Sequence, residues 1–271
     1  MRDTPHRDHS AAPRQARVAP AEIARLEQLL QSQSADVLRE AAAHPGMNED
    51  LTLSLLARRD LPFGVVEILV KNASVMKHRK VVSAIVGHPR TPRHVSLPMV
   101  RMLYAFELMQ VALTPAVAPD IKRAAEDQIV QRLETTSMGE RLTLAKQGSN
   151  RVAEALLCDP ETRIVEAALL NPRMTEASIV KALGRDSVPV HFVERVCRHS
   201  KWSLRREIQL ALLKSHHTPL GRVLAFVRSF SSHTIQEILK HSRLPATVKM
   251  YLFEELSERE KRQNSSSETS G

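Results

Sequence analysis

Twelve histidines and two cysteines are the residues of this chain best suited to chemistry. His88 with His94, His191 with His199, and the adjacent His216 and His217 suggest a metal site. Zinc held by a helix requires two histidines one turn apart with a flanking glutamate, or paired cysteines. None of these pairs has that spacing, and no CxxC motif accompanies them, so the expectation is no metal and no cofactor. Cys158 and Cys197 lie in the apolar runs "ALLCDP" and "VERVCRHS", where buried reduced thiols are the default. The patterns GxxxxGK, GxGxxG and GxSxG are all absent, which removes the phosphate loops and the nucleophile elbow. The chain reads as non-catalytic.

What remains is charge. The net charge of +9 is concentrated in two blocks. Residues 68–106 carry seven Lys and Arg and no Asp or Glu, and residues 199–262 carry twelve basic residues against six acidic ones. Basic stripes take phosphates or acidic protein segments, and otherwise serve as a solvated face. The candidate partner-binding residues are Lys77, Arg79, Lys80, Arg90, Arg93 and Arg101 in the first block, and Lys201, Arg205 and Arg206 in the second. Trp202 joins them as an aromatic anchor, although its first expectation is packing between helices at the "HSKWS" break. The expected partner is a protein, an acidic one included, with nucleic acid as the second class. No membrane partner is expected, because no stretch approaches eighteen uninterrupted apolar residues. The N-terminal twenty residues contain no apolar segment of signal-peptide length, and the location is read as cytoplasmic. Met99, Met102 and Met109, with Leu97, Leu103, Tyr104 and Phe106, form the most hydrophobic neighbourhood. Core packing is expected there, with a partner groove as the alternative.

The elements that must position these residues recur. "SLLARRDLP" (54–62), "AIVGHPRTP" (84–92), "ALLNPRMT" (168–175), "ALLKSHHTP" (211–219) and "EILKHSRLP" (237–245) each read as a helix end, a polar break and a new helix start. Apolar spacing between the breaks is helical, as in Ile164, Val165, Ala168 and Leu169, and no segment alternates as a half-buried strand does. The spacing predicts helices of about eight to thirteen residues, too short to persist alone, so each must stack on its neighbours. His44, Asn72, His88, Asp159, Asn171, His199, His216 and His241 fall at the helix ends, where they are expected to bond the orphan carbonyls. Asn48, Ser203, Thr91-Pro92 and Thr218-Pro219 are expected to start the next helices. A longer hairpin is predicted near 105–146, with a helix over 119–134 and a capping box at Ser137 and Glu140. One domain is expected over 19–262, flanked by polar, disordered tails at 1–18 and 263–271.

The "ALLNPRMT" and "IVGHPRTP" breaks resemble those of bacterial leucine-rich repeat variant proteins and related HEAT-like helical repeats, over roughly residues 35–256. The resemblance implies an all-α fold, a right-handed α-solenoid (superhelix) of short helical hairpins, used as a scaffold or adaptor. The cysteine-ligated iron–sulfur module of the variant family does not carry over, since no cysteine precedes Cys158. HEAT-like DNA glycosylases are also basic solenoids, with tryptophans and a carboxylate on the DNA-binding face. Here Trp202 is the only tryptophan and Glu194 the nearest upstream acid, and the shortage of stacking aromatics argues against base handling.

Overall fold

A computed structural model describes residues 20–62, 64–242 and 244–268; the expected tail over 1–18 lies outside them. Among the described residues the chain forms eighteen α-helices and no strand. Residue contacts separate it into two compact units, where the sequence suggested one domain over 19–262. The first runs through Leu103 and includes Pro115–Ile121, and the second comprises Tyr104–Thr114 and Lys122 onward.

The first unit contains α1 (Pro20–Leu30), α2 (Ala35–Ala43), α3 (Glu49–Leu56), α4 (Val65–Lys71), α5 (Ala73–Met76), α6 (Arg79–Gly87) and α7 (Arg93–Val100). Helix α2 packs on α4, α3 on α6, and α6 on α7. The second unit holds α8 (Ala105–Leu113) and all but the first residues of α9 (Pro119–Arg132). It continues with α10 (Met138–Gln147), α11 (Asn150–Ala155), α12 (Thr162–Leu169), α13 (Glu176–Leu183), α14 (Val190–Arg198), α15 (Arg206–Lys214), α16 (Leu220–Val227), α17 (Ser232–His241) and α18 (Ala246–Glu268). Here two series of helices pack on the helix two along: α10 on α12 on α14, and α11 on α13 on α15 on α17. Helix α18 continues to Glu268, into the stretch 263–271 expected to be a tail.

Each short helix is held by one apolar stripe. Helix α12 buries Ile164, Val165, Ala168 and Leu169, and α15 buries Ile208, Leu212 and Leu213. Each large aliphatic side chain so buried stabilises by about 1.5–3 kcal/mol, which offsets the poor intrinsic stability of helices this short. Of the hydrophobic neighbourhood, Met99 and Leu103 in the first unit and Met109 in the second are buried. Leu97, Met102, Tyr104 and Phe106 are exposed.

The helix ends follow one pattern, but not the expected one. His44, Asn72, His88, Asp159, Asn171, His199 and Ser215 each donate their backbone N–H to the carbonyl three residues back. Their side chains then accept the backbone N–H two residues on, from Gly46, Ser74, Arg90, Glu161, Arg173, Lys201 and His217 respectively. Ser215 occupies the slot assigned to His216, and the His241 side chain lies outside the described residues.

The orphan carbonyls are bonded from farther along the chain. Asn72 Nδ2 donates to Ala42 and His44, Asn171 Nδ2 to Ala145 and Gly148, and Arg58 Nη1 to Leu30 and Ser32. His88 Nδ1 is occupied as an acceptor, so its Nε2 carries the proton and donates to the Arg58 carbonyl at 2.9 Å. Thr91 and Thr218 do not cap the next helix; their hydroxyls donate back to the Ile85 and Leu212 carbonyls. Pro92 and Pro219 are therefore the cap residues, and α7 and α16 begin one residue later. Ser203 is buried within its turn, and Arg205 precedes α15. Asn48 caps α3 and the Ser137–Glu140 capping box opens α10, both as expected.

Candidate functional site

In the first basic block, acids from elsewhere in the chain meet the cations. Arg79 and Lys80 open α6, where Lys80 Nζ lies 3.5 Å from Glu49 Oε1 of α3. Arg79 Nη2 donates to the Met102 carbonyl at 3.1 Å. Arg93 opens α7, and its Nε lies 2.8 Å from Asp120 Oδ2, which the same compact unit contains. Arg90 and Arg101 are exposed in the turns after α6 and α7, and each has an interacting partner. Lys77 ends α5 and is exposed.

The second block is arranged differently. Arg198 ends α14, Lys201 and Arg205 lie in the turn to α15, Arg206 is the first residue of α15, and Arg228 follows α16. All five are exposed. Earlier in the same unit, Lys146 at the end of α10 and Arg173 in the turn after α12 are also exposed. Among the described residues no carboxylate lies within ion-pairing distance of any of these seven. Glu176 and Glu207, which open α13 and α15, are the acids flanking these turns.

Hydrogen bonds join these turns into a row. Asn171 Nδ2 donates to Gly148 at 3.1 Å and Arg173 Nη1 to Gln147 at 3.2 Å, tying 170–175 to 147–149. Trp202 Nε1 donates to the Leu169 carbonyl at 2.8 Å, tying 199–205 to the end of α12. Ser229 Oγ lies 3.2 Å from Gln209 Oε1, and the Arg206 guanidinium lies 5.0 Å from the Phe230 ring centroid, so 228–231 joins the far side. Leu170 and Leu204, at 72% and 76% exposed, stand out from two of these turns. The row thus offers cations interspersed with apolar side chains.

Trp202 leaves the set of side chains a partner can reach. At 3% exposed it is interior, with its N–H on the Leu169 carbonyl, and Lys201 Nζ sits 4.0 Å from its ring centroid. Its other ring neighbour is His199. Burial, then the Lys201 charge, holds the His199 imidazole below its ordinary pKa. Burial pushes the Cys197 thiol up to about 11, and burial also raises Cys158 against the pull of Arg185. Both thiols are therefore poor nucleophiles.

Lys146 and Arg173 were missed from the sequence because they fall outside both charge blocks. Their signal is spacing: Lys146, Arg173, Lys201 and Arg228 follow one another at 27, 28 and 27 residues. Away from the row, a groove of about 360 Å³ between α13 and α15 is floored by Leu183 and Leu210. Its rim carries Arg185 and Lys214 against Asp186 and Glu207, so it favours neither sign of charge.

Among the described residues no group of three or more His, Cys, Asp or Glu is placed to hold a metal ion. Nor is any helix among them long and apolar enough to cross a membrane. The chain matches no protein-family model, no curated protein and no solved structure.

Proposed function

We propose that this chain is a non-catalytic scaffold or adaptor, a right-handed α-solenoid of HEAT-like or leucine-rich-repeat-variant character, that binds an acidic protein partner along the turn row of its second unit. One observation carries the reading: seven exposed cations at every second helix junction, the junctions joined by hydrogen bonds, have no carboxylate within ion-pairing distance among the described residues. A row prepared in this way by a folded framework binds without a large ordering cost.

A nucleic-acid partner is the second reading, because unpaired cations also suit phosphates. Two observations favour protein. The aromatic residues on and beside the row, Trp202, Phe226 and Phe230, are buried, which leaves no platform for stacking bases. Leu170 and Leu204 project from the same turns, and exposed aliphatic side chains suit a polypeptide with apolar residues between its acids.

Fluorescence anisotropy with labelled polyglutamate, single-stranded DNA and duplex DNA, over a series of salt concentrations, separates the two readings. The adaptor reading expects polyglutamate to bind at least as tightly as either DNA. Tight DNA binding that falls steeply with salt, with no binding of polyglutamate, would replace it with the nucleic-acid reading.

A further inference from the structure

Resting on the adaptor reading, we infer that the partner lies along the row as an extended segment of polyproline-II form, with an acidic side chain at every third residue. The row sets the period. Lys146 lies at the end of α10 beside the turn to α11, and Arg173, Lys201 and Arg228 each occupy one of the turns after α12, α14 and α16. The hydrogen bonds from Asn171, Arg173 and Trp202 to the preceding helix ends show that the first three of these turns are immediate neighbours. The helices that the turns join pack directly, α11 on α13 on α15 on α17. Packed helices lie about 8–10 Å apart, so the turns that carry the cations are spaced at about that interval.

Of the regular backbone forms, a polyproline-II segment matches this interval with the fewest residues. It repeats its side-chain direction every three residues with a rise of about 3.1 Å each, placing every third side chain on one face about 9 Å apart. A β-strand returns to the same face every second residue, at about 6.6 Å or 13 Å, and misses the interval. A helix meets it only once in about seven residues, at 1.5 Å per residue, and needs about twice the chain to span the row. The polyproline-II form also has its backbone fully solvated before binding, so little order is lost on docking. Leu170 and Leu204 stand beside the cations and receive apolar residues from between the acids.

The test uses three labelled peptides of equal length, composition and net charge, whose glutamates fall at every third position, in one cluster, or at every seventh position of a helix-forming sequence. With the full chain, the every-third peptide is expected to bind more tightly than the clustered one by about tenfold, or 1.4 kcal/mol. The double substitution Lys201→Ser with Arg228→Ser should erase that preference, with thermal melting as the check that the exposed positions leave the fold intact. Equal affinity for all three peptides would overturn the period while leaving the acidic-partner reading in place. Tightest binding of the seventh-position peptide would overturn the extended conformation. Failure of every peptide, with DNA still bound, would overturn the adaptor reading itself.

Discussion

Lys80 and Arg93 of the first basic block lie against Glu49 and Asp120, whereas Lys201, Arg205 and Arg228 of the second have no carboxylate within ion-pairing distance among the described residues. Counted along the chain, the first block looks the more potent, with no acid among its thirty-nine residues. Folded, it is the more neutralised, because its counter-charges arrive from helices about one repeat spacing away in sequence. Charge within a window of sequence thus measures composition; what a partner meets is the charge left after the fold has paired its own.

The largest effect expected separates fold from surface charge beneath the second block. Leu212 is fully buried in α15, and Leu212→Ala should destabilise by about 2–5 kcal/mol in a thermal or urea melt. Polyglutamate affinity, measured where the variant remains folded, should not change. A melt that does not move would mean that α15 is not seated through this residue. Next in size, Lys201→Glu, Arg205→Glu and Arg228→Glu combined should weaken polyglutamate binding by more than about tenfold. The matching reversal of Lys77, Lys80 and Arg93 should change it by less than about twofold. Equal losses from the two triples would remove the distinction between the blocks.

Much of the all-helical fold was legible because its signals are local. The length of most helices, though not of α5, α11 or α18, the opening of α9 at Pro119, the Asn48 cap and the Ser137–Glu140 box were legible in this way. The destinations of the helix-end side chains were not legible, because the carbonyls they bond lie some 23–33 residues earlier. Asn72, His88, Arg58, Asn171 and Trp202 all do this work. Any donor long enough to reach an orphan carbonyl suffices, which explains why the breaks share a pattern but not a residue. The row was hidden for a related reason: Lys146 and Arg173 belong to no basic run and emerge only at a spacing of 27 or 28 residues. Lys80 and Arg93 entered the candidate set because nothing near them in sequence reveals Glu49 or Asp120.

A smaller effect concerns the histidine beneath the row. His199 is held below its ordinary pKa of 6.5 in the folded chain, chiefly by burial. As pH falls through that value the unfolded chain takes up the proton first, so stability should decline on the acid side until the folded imidazole also titrates. Asparagine fills the equivalent slot at 72 and 171. His199→Asn should therefore keep the fold and flatten part of the decline, read as urea midpoints at about pH 7 and about pH 5. The share left by His217, which burial and then His216 also lower, should persist. An unaltered pH profile would place the acid sensitivity elsewhere.

The smallest stability change belongs to the substitution that bears most directly on the comparison. Glu49→Gln with Asp120→Asn removes the acids facing Lys80 and Arg93 and leaves both cations in place. The side chains of Lys80 and Arg93 are 80% and 71% exposed, and pairs this open to solvent contribute at most about 1 kcal/mol each, so the melt should hardly move. Polyglutamate affinity should nevertheless rise by about twofold or more and fall more steeply with salt, because the freed cations now attract the probe. A rise in affinity would show that the two blocks differ only in whether the fold supplies their counter-charges. If neither affinity nor salt slope responds, pairing is not what distinguishes them, and the turn row must owe its binding to the spacing of its cations.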